Sequence, residues 1–205
     1  MTDVQGRLGT LIGDLGALGS PIGHYLRPGR TEAHIRATLG ALDLAPPAEL
    51  VDWYAWHDGV DHVAAAPVEG DRSPLEIFFS VTLLSLDEAV SVCDEQREAR
   101  LELFDDADPE ADAFWRDAWF PVLLGPRSIF VVECPTDAIA ETGPVWRALG
   151  GPGPSMTGIV AEGLAAFLDR LVTEIRVGSV SWDEATKSIQ PRQQDERRMY
   201  DVGLY

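Results

Sequence analysis

Between residues 164 and 175 the chain carries Leu164, Phe167, Leu168, Leu171, Val172 and Ile175 at spacings of three and four. That many large apolar side chains on one face of a helix cannot be left in water. The segment must lie on a broad apolar body, and a sheet is the natural one. Gly178 closes this helix. A weaker version of the pattern stands near the start: Leu8, Leu11, Ile12, Leu15 and Leu18, with Gly6, Gly9, Gly13 and Gly16 on the opposite side. Each glycine costs roughly 1 kcal/mol of helix stability relative to alanine, so this helix also needs a body to lie on. Asp14 interrupts the stretch and only Arg7 precedes it, which makes it a poor secretory leader. No run of about 18 apolar residues exists to span a membrane.

The segments between these two helices set the fold class. Thr31 is suited to cap a helix holding Ile35, Leu39 and Leu42, and Pro46-Pro47 turns the chain into a second one. There Leu50, Trp53, Tyr54 and His57 share a face, and Gly59 is expected to end the helix with a positive φ. Residues 60–74 read as loop. Ile77, Phe78, Phe79, Val81 and Thr82 mark a strand. Ser85 with Glu88 is a capping box opening a helix that reaches Phe104. Trp119–Leu124 and Ser128–Cys134 form a hairpin about Gly125-Pro126-Arg127, and residues 143–149 give a further strand. The Gly/Pro run from Gly150 to Ser155 is loop, and its prolines rule out a phosphate cradle built from backbone N–H groups. From Asp183 on the chain is polar and expected to be peripheral. This order lacks regular β-α alternation and predicts an α+β fold, a mostly antiparallel sheet flanked by helices. It divides the chain into a helical appendage at 1–26, a domain at 27–178 and a polar tail at 179–205.

Charge narrows the function. Asp plus Glu number 34 against 16 Lys plus Arg, a net charge of −18. Nucleic acid and anionic membrane surfaces are therefore excluded as partners, because both are held through Lys and Arg. A basic protein is the natural complement. The charge is uneven: residues 86–117 hold 12 acidic and 3 basic residues, a net of −9. Within them Asp105, Asp106, Asp108, Glu110 and Asp112 form a stretch with little apolar content, a candidate landing site for a basic partner. Trp56 and Trp115, beside acidic residues, are candidate exposed aromatics of the same surface, with Asp58 next to the first; core packing is the alternative for each tryptophan.

No catalytic set is legible. His57-Asp58-Gly59-Val60-Asp61-His62 concentrates metal-ligand types, and metal-dependent phosphohydrolase chemistry is the alternative it raises. Ligands on one helical face are spaced four apart, however, whereas His57 and His62 are five apart. No Gly-x-Ser-x-Gly elbow is present. Neither a metal nor a cofactor is expected. Cys93 and Cys134 are the only cysteines, with no Cys-x-x-Cys pair, and are expected as free thiols in a reducing, cytoplasmic setting.

Several motifs, in order, resemble the SUKH superfamily of Smi/Knr-like domains. The helix with Ile35 and Leu39 leads into Leu44-Ala-Pro-Pro-Ala-Glu-Leu50, then into Trp53-Tyr-Ala-Trp-His-Asp-Gly59. Leu84-Ser-Leu-Asp-Glu-Ala89 is similar to the family's strand-to-helix step. Trp119-Phe-Pro-Val122 is similar to its Trp-x-Pro-Ile strand. Ile129–Val132 suits the next strand and residues 161–177 the terminal helix. The resemblance covers residues 27–178; the strand at 143–149 is weakly written and the loop after it is long. It implies a binding protein without catalytic residues: a bacterial immunity protein that neutralises a toxin, often a nuclease, or else a cytosolic regulator of the cell-wall-assembly type.

Overall fold

A computed structural model of the protein describes residues 3–62, 64, 76–78, 81–105, 108, 110–126, 128–135, 140–149, 158–184 and 188–192. The Gly150–Ser155 run, Asp106, Arg127 and the chain beyond Arg192 lie outside the described residues. The centre is a six-stranded sheet: β3 (Glu76–Phe78), β4 (Val81–Leu83), β5 (Trp119–Leu124), β6 (Ser128–Glu133), β7 (Val145–Leu149) and β8 (Gly158–Ala161). The strands lie side by side in chain order and every neighbouring pair is antiparallel. With helices on both faces, the fold is α+β, as the segment order predicts.

Side-chain alternation on β6 divides the interior in two. Phe130 and Val132 enter the larger core. That core is closed by α1 (Val4–Leu18), α2 (Glu32–Gly40), α3 (Ala48–Trp56) and α6 (Leu164–Arg176). Ile129 and Val131 face the other way, into a smaller cluster with Cys93, Phe114, Trp115, Trp119 and Ala148. That side is covered by the short α5 (Ala111–Phe114) and, from Cys93 on, by α4 (Leu86–Leu103), whose Leu86 and Ala89 enter the larger core. The apolar stripe of α6 is buried along its length, and Phe167 packs on Phe130 with ring centroids 5.5 Å apart.

The segment expected as an appendage is built into the larger core. Val4, Leu8, Leu11 and Leu15 are fully buried there. Two ion pairs lace α1 to α6, Arg7 with Asp169 at 2.9 Å and Asp14 with Arg176 at 2.8 Å. Both pairs span 162 residues of sequence, so the two helices run parallel and in register over two turns. The glycine side of α1 faces open space: a Cβ at Gly9, Gly13 or Gly16 would meet nothing within 4 Å. Each of Gly9→Ala, Gly13→Ala and Gly16→Ala should therefore stabilise the fold by about 0.5–1 kcal/mol. Urea denaturation of the single variants checks this, and a loss of stability at any of them would mean that the site needs its glycine.

Two further expectations are corrected. Gly59 has the predicted positive φ, 67°, but it does not cap a helix. α3 stops at Trp56, and His57–Val60 forms β2, paired with β1 (Leu26–Pro28). Its partner lies far upstream, Leu26 opposite Val60 and Pro28 opposite His57, beyond the reach of local pattern. The presumed polar tail also contributes structure. β9 (Val180–Asp183) and β10 (Ser188–Pro191) form a hairpin whose Val180 and Ile189 are fully buried in the larger core.

Candidate functional site

The acidic region is organised by α4. Ser85 accepts a hydrogen bond from the Glu88 N–H at 3.2 Å while Glu88 Oε2 accepts from the Ser85 N–H at 2.8 Å, completing the capping box. Asp58 strengthens this start: its Oδ1 accepts from the Leu86 N–H at 2.8 Å. With its entry fixed, the helix turns Leu86, Ala89 and Cys93 inward. Asp87, Ser91, Asp94, Glu95, Glu98, Leu101 and Glu102 form the exposed outer stripe, with Asp105 exposed just past the helix end. The stripe carries five carboxylates and no Lys or Arg of its own, and Arg30 meets it at Asp87, 3.4 Å away. Two large apolar residues stand exposed at its end, Leu101 at 66% and Leu103 at 54%.

The two arginines in the second half of α4 turn away from the stripe. Arg97 Nη2 donates to the Leu42 carbonyl at 3.2 Å and to the Asp117 carbonyl at 2.8 Å. Arg100 pairs with Asp117 at 3.1 Å and Asp112 at 2.9 Å. These bonds strap the α2–α3 corner and the segment before β5 to α4. Between them runs a groove of about 760 Å³. Its walls are Leu42, Leu44 and Ala45 on one side and Leu101 on the other, with Ala118, Cys134 and Pro135 also lining it. Asp43, at the lip, holds a left-handed φ of 59°, which an Asp tolerates better than most residues.

The predicted site residues are dispersed. Asp105 and Glu110 are exposed. Asp108 is half-buried and its side chain accepts from the Glu110 N–H at 2.8 Å. Asp112 is exposed but held by Arg100. Trp56 is half-buried against the larger core. Two expectations fail outright. Trp115 is fully buried, edge-on to Trp119 at 5.6 Å, because α5 folds it into the smaller core. Asp58 is 1% exposed, its Oδ2 accepting from Arg30 Nε at 2.7 Å, so it is an internal tie between β2, the α2 approach and α4. Sequence reasoning did not single out Leu101, Leu103, Arg97 and the Leu42–Ala45 corner. The available signal was Leu101 sitting on the polar stripe between Glu98 and Asp105, at i−3 and i+4.

Among the described residues His57 and His62 lie in different surroundings. His57 is buried between Trp53 and Trp56, its Nδ1 accepting from the Gly59 N–H at 3.0 Å. Burial pushes its pKa down to about 4, against the opposing pull of Asp58, so the ring is neutral near pH 7. His62 instead lies 3.6 Å from Glu88 on the surface. Among the described residues no group of three or more His, Cys, Asp and Glu gathers to hold a metal ion. Burial raises the thiols of Cys93 and Cys134 to about 11 and about 12, which leaves both protonated and poorly nucleophilic. Among the described residues no helix is long and apolar enough to cross a membrane. No protein-family model and no curated protein matches this chain.

Proposed function

We propose that the protein is a non-catalytic binding domain of the SUKH, Smi/Knr-like type that captures a basic protein in the cytoplasm. Its role in this reading is that of an immunity protein neutralising a toxin. A nuclease toxin fits best, because it must hold phosphates with Lys and Arg and so presents a basic surface. The observation that carries the reading is the outer stripe of α4, five carboxylates with no Lys or Arg of the helix among them and Arg30 meeting it at Asp87. A field of one sign speeds capture of the opposite sign, and rim charges act mainly on association rate and on its salt dependence.

The experiment is capture from the native source, followed by kinetics on the captured protein. Replacing Asp94, Glu98, Glu102 and Asp105 by their amides should slow association by about tenfold at low salt and flatten its salt dependence. The fold should be nearly unaffected, since exposed substitutions rarely exceed about 0.5 kcal/mol each. Association at the wild-type rate across ionic strengths would reject the stripe as the steering surface. Recovery of only acidic partners would reject the proposed function itself.

A further inference from the structure

We propose that the groove between the α2–α3 corner and the second half of α4 seats an apolar anchor presented by a basic segment of the partner protein. The partner's Lys and Arg side chains then lie along the α4 stripe, while one or two of its large apolar side chains enter between Leu101 and Leu42–Ala45. This rests on the reading of the partner as basic and adds where and how it is held.

Three observations converge. The groove, about 760 Å³, has the size of a concave binding site. Its walls combine aliphatic side chains with Asp43, Arg97, Arg100 and Asp117, and one of the aliphatic ones, Leu101, stands 66% exposed on a stripe that is otherwise polar. An exposed Leu amid carboxylates does nothing for solubility, but it suits the rim of an apolar pocket. The groove is also pre-formed. Arg97 joins its two walls through the Leu42 and Asp117 carbonyls, and the corner is fixed by the Leu44 N–H donating to the Leu39 carbonyl at 3.0 Å. An anchor that enters a preorganised pocket avoids the ordering cost of building one.

Charge decides the occupant. Arg97 and Arg100 line the groove; the protein's own carbonyls and carboxylates engage their Nη groups, while the buried Nε–H of each has no hydrogen-bond partner. The carboxylates lining the groove are Asp43 and Asp117, and Glu98 and Glu102 stand exposed on α4 on either side of Leu101 in sequence, which disfavours acidic peptides and favours Lys and Arg beside the anchor. A second copy is disfavoured, because it would bring another stripe from a chain of net charge −18 against the first.

Three synthetic peptides test this on the full chain: an amphipathic Lys/Leu helix, a Lys/Ser version of equal charge, and a Glu/Leu version. Methyl shifts of Leu42, Leu44, Leu101 and Ala118 report the site, and titration reports affinity. The Lys/Leu peptide is expected to move these methyls and to bind about tenfold tighter than Lys/Ser, with Glu/Leu not binding. Leu101→Ser should weaken Lys/Leu binding by about tenfold and leave its salt dependence unchanged. Glu98→Gln with Glu102→Gln should reduce that salt dependence. Equal binding of the two Lys peptides, or no effect of Leu101→Ser, overturns the groove while leaving the basic-partner reading intact. Failure of both Lys peptides to bind overturns both. Self-association that Leu101→Ser abolishes would assign the groove to a second copy instead.

Discussion

Gly59→Val is expected to destabilise the protein by more than about 3 kcal/mol, the sum of left-handed strain at a β-branched residue and of overlap in a packed interior. Gly59 sits at φ 67° where β2 crosses the junction between β4 and α4. A Cβ there would run into the backbone of Leu84 and Ser85. Those atoms cannot swing aside, because Ser85 is the N-cap of α4 and Asp58 is bonded to the Leu86 N–H. The substitution thus strikes the capping box and the Arg30–Asp58 tie together. Gly59→Ala should show the same collision with less strain. Chemical denaturation of both variants checks the ranking, and an unchanged midpoint for Gly59→Val would refute the crossing.

Glu49→Ala is expected to cost about 2–4 kcal/mol, combining a lost helix cap with a buried N–H left without an acceptor. Gly163 at the N-terminus of α6 offers no side-chain cap. Glu49, on the first turn of α3 and only 2% exposed, supplies one from 115 residues away. Its Oε2 accepts from the Leu164 N–H at 2.8 Å and its Oε1 from the Ala165 N–H at 3.4 Å. Glu49→Gln keeps an acceptor and should lose about half as much. Burial raises the Glu49 pKa above its ordinary 4.5, outweighing the two N–H bonds and the nearby Arg7 charge. The folded state therefore binds this proton more tightly than the unfolded chain does. The associated stability is fully present below about pH 4.5 and is lost as pH rises through the raised folded value. The stability of wild type minus that of Glu49→Gln should accordingly fall with rising pH across that window. A flat difference would mean that the folded carboxyl titrates like a free one.

The elements written in short-range pattern were legible. The Ser85–Glu88 box, the stripe of α6 and the hairpin of β5 and β6 depend on residues a few positions apart, and all stand where the spacing predicts. What distant packing decides was not. Asp58 looks like a polar turn residue until Arg30 and α4 close over it. Trp115 is readable from sequence either as core or as part of a binding surface, and only the smaller core decides between them. Glu49 resembles any acidic residue in a first helical turn, and nothing near it announces α6. The candidate site was half visible. Its charge lies in one continuous stretch of sequence, whereas its groove is assembled from four segments spread between Leu42 and Pro135.

The parallel pairing of α1 with α6 has a consequence during synthesis. The Leu8, Leu11 and Leu15 side of the first helix finds much of its cover on the last, 162 residues later. At about 5–20 residues per second, the ribosome takes on the order of ten to thirty seconds to deliver that cover. Throughout that interval the nascent chain displays the uncovered apolar side chains of this segment, which is what holding chaperones recognise. Moving α1 by circular permutation to follow α6 would close the gap, and release from trigger-factor-like holdases should then come earlier in translation.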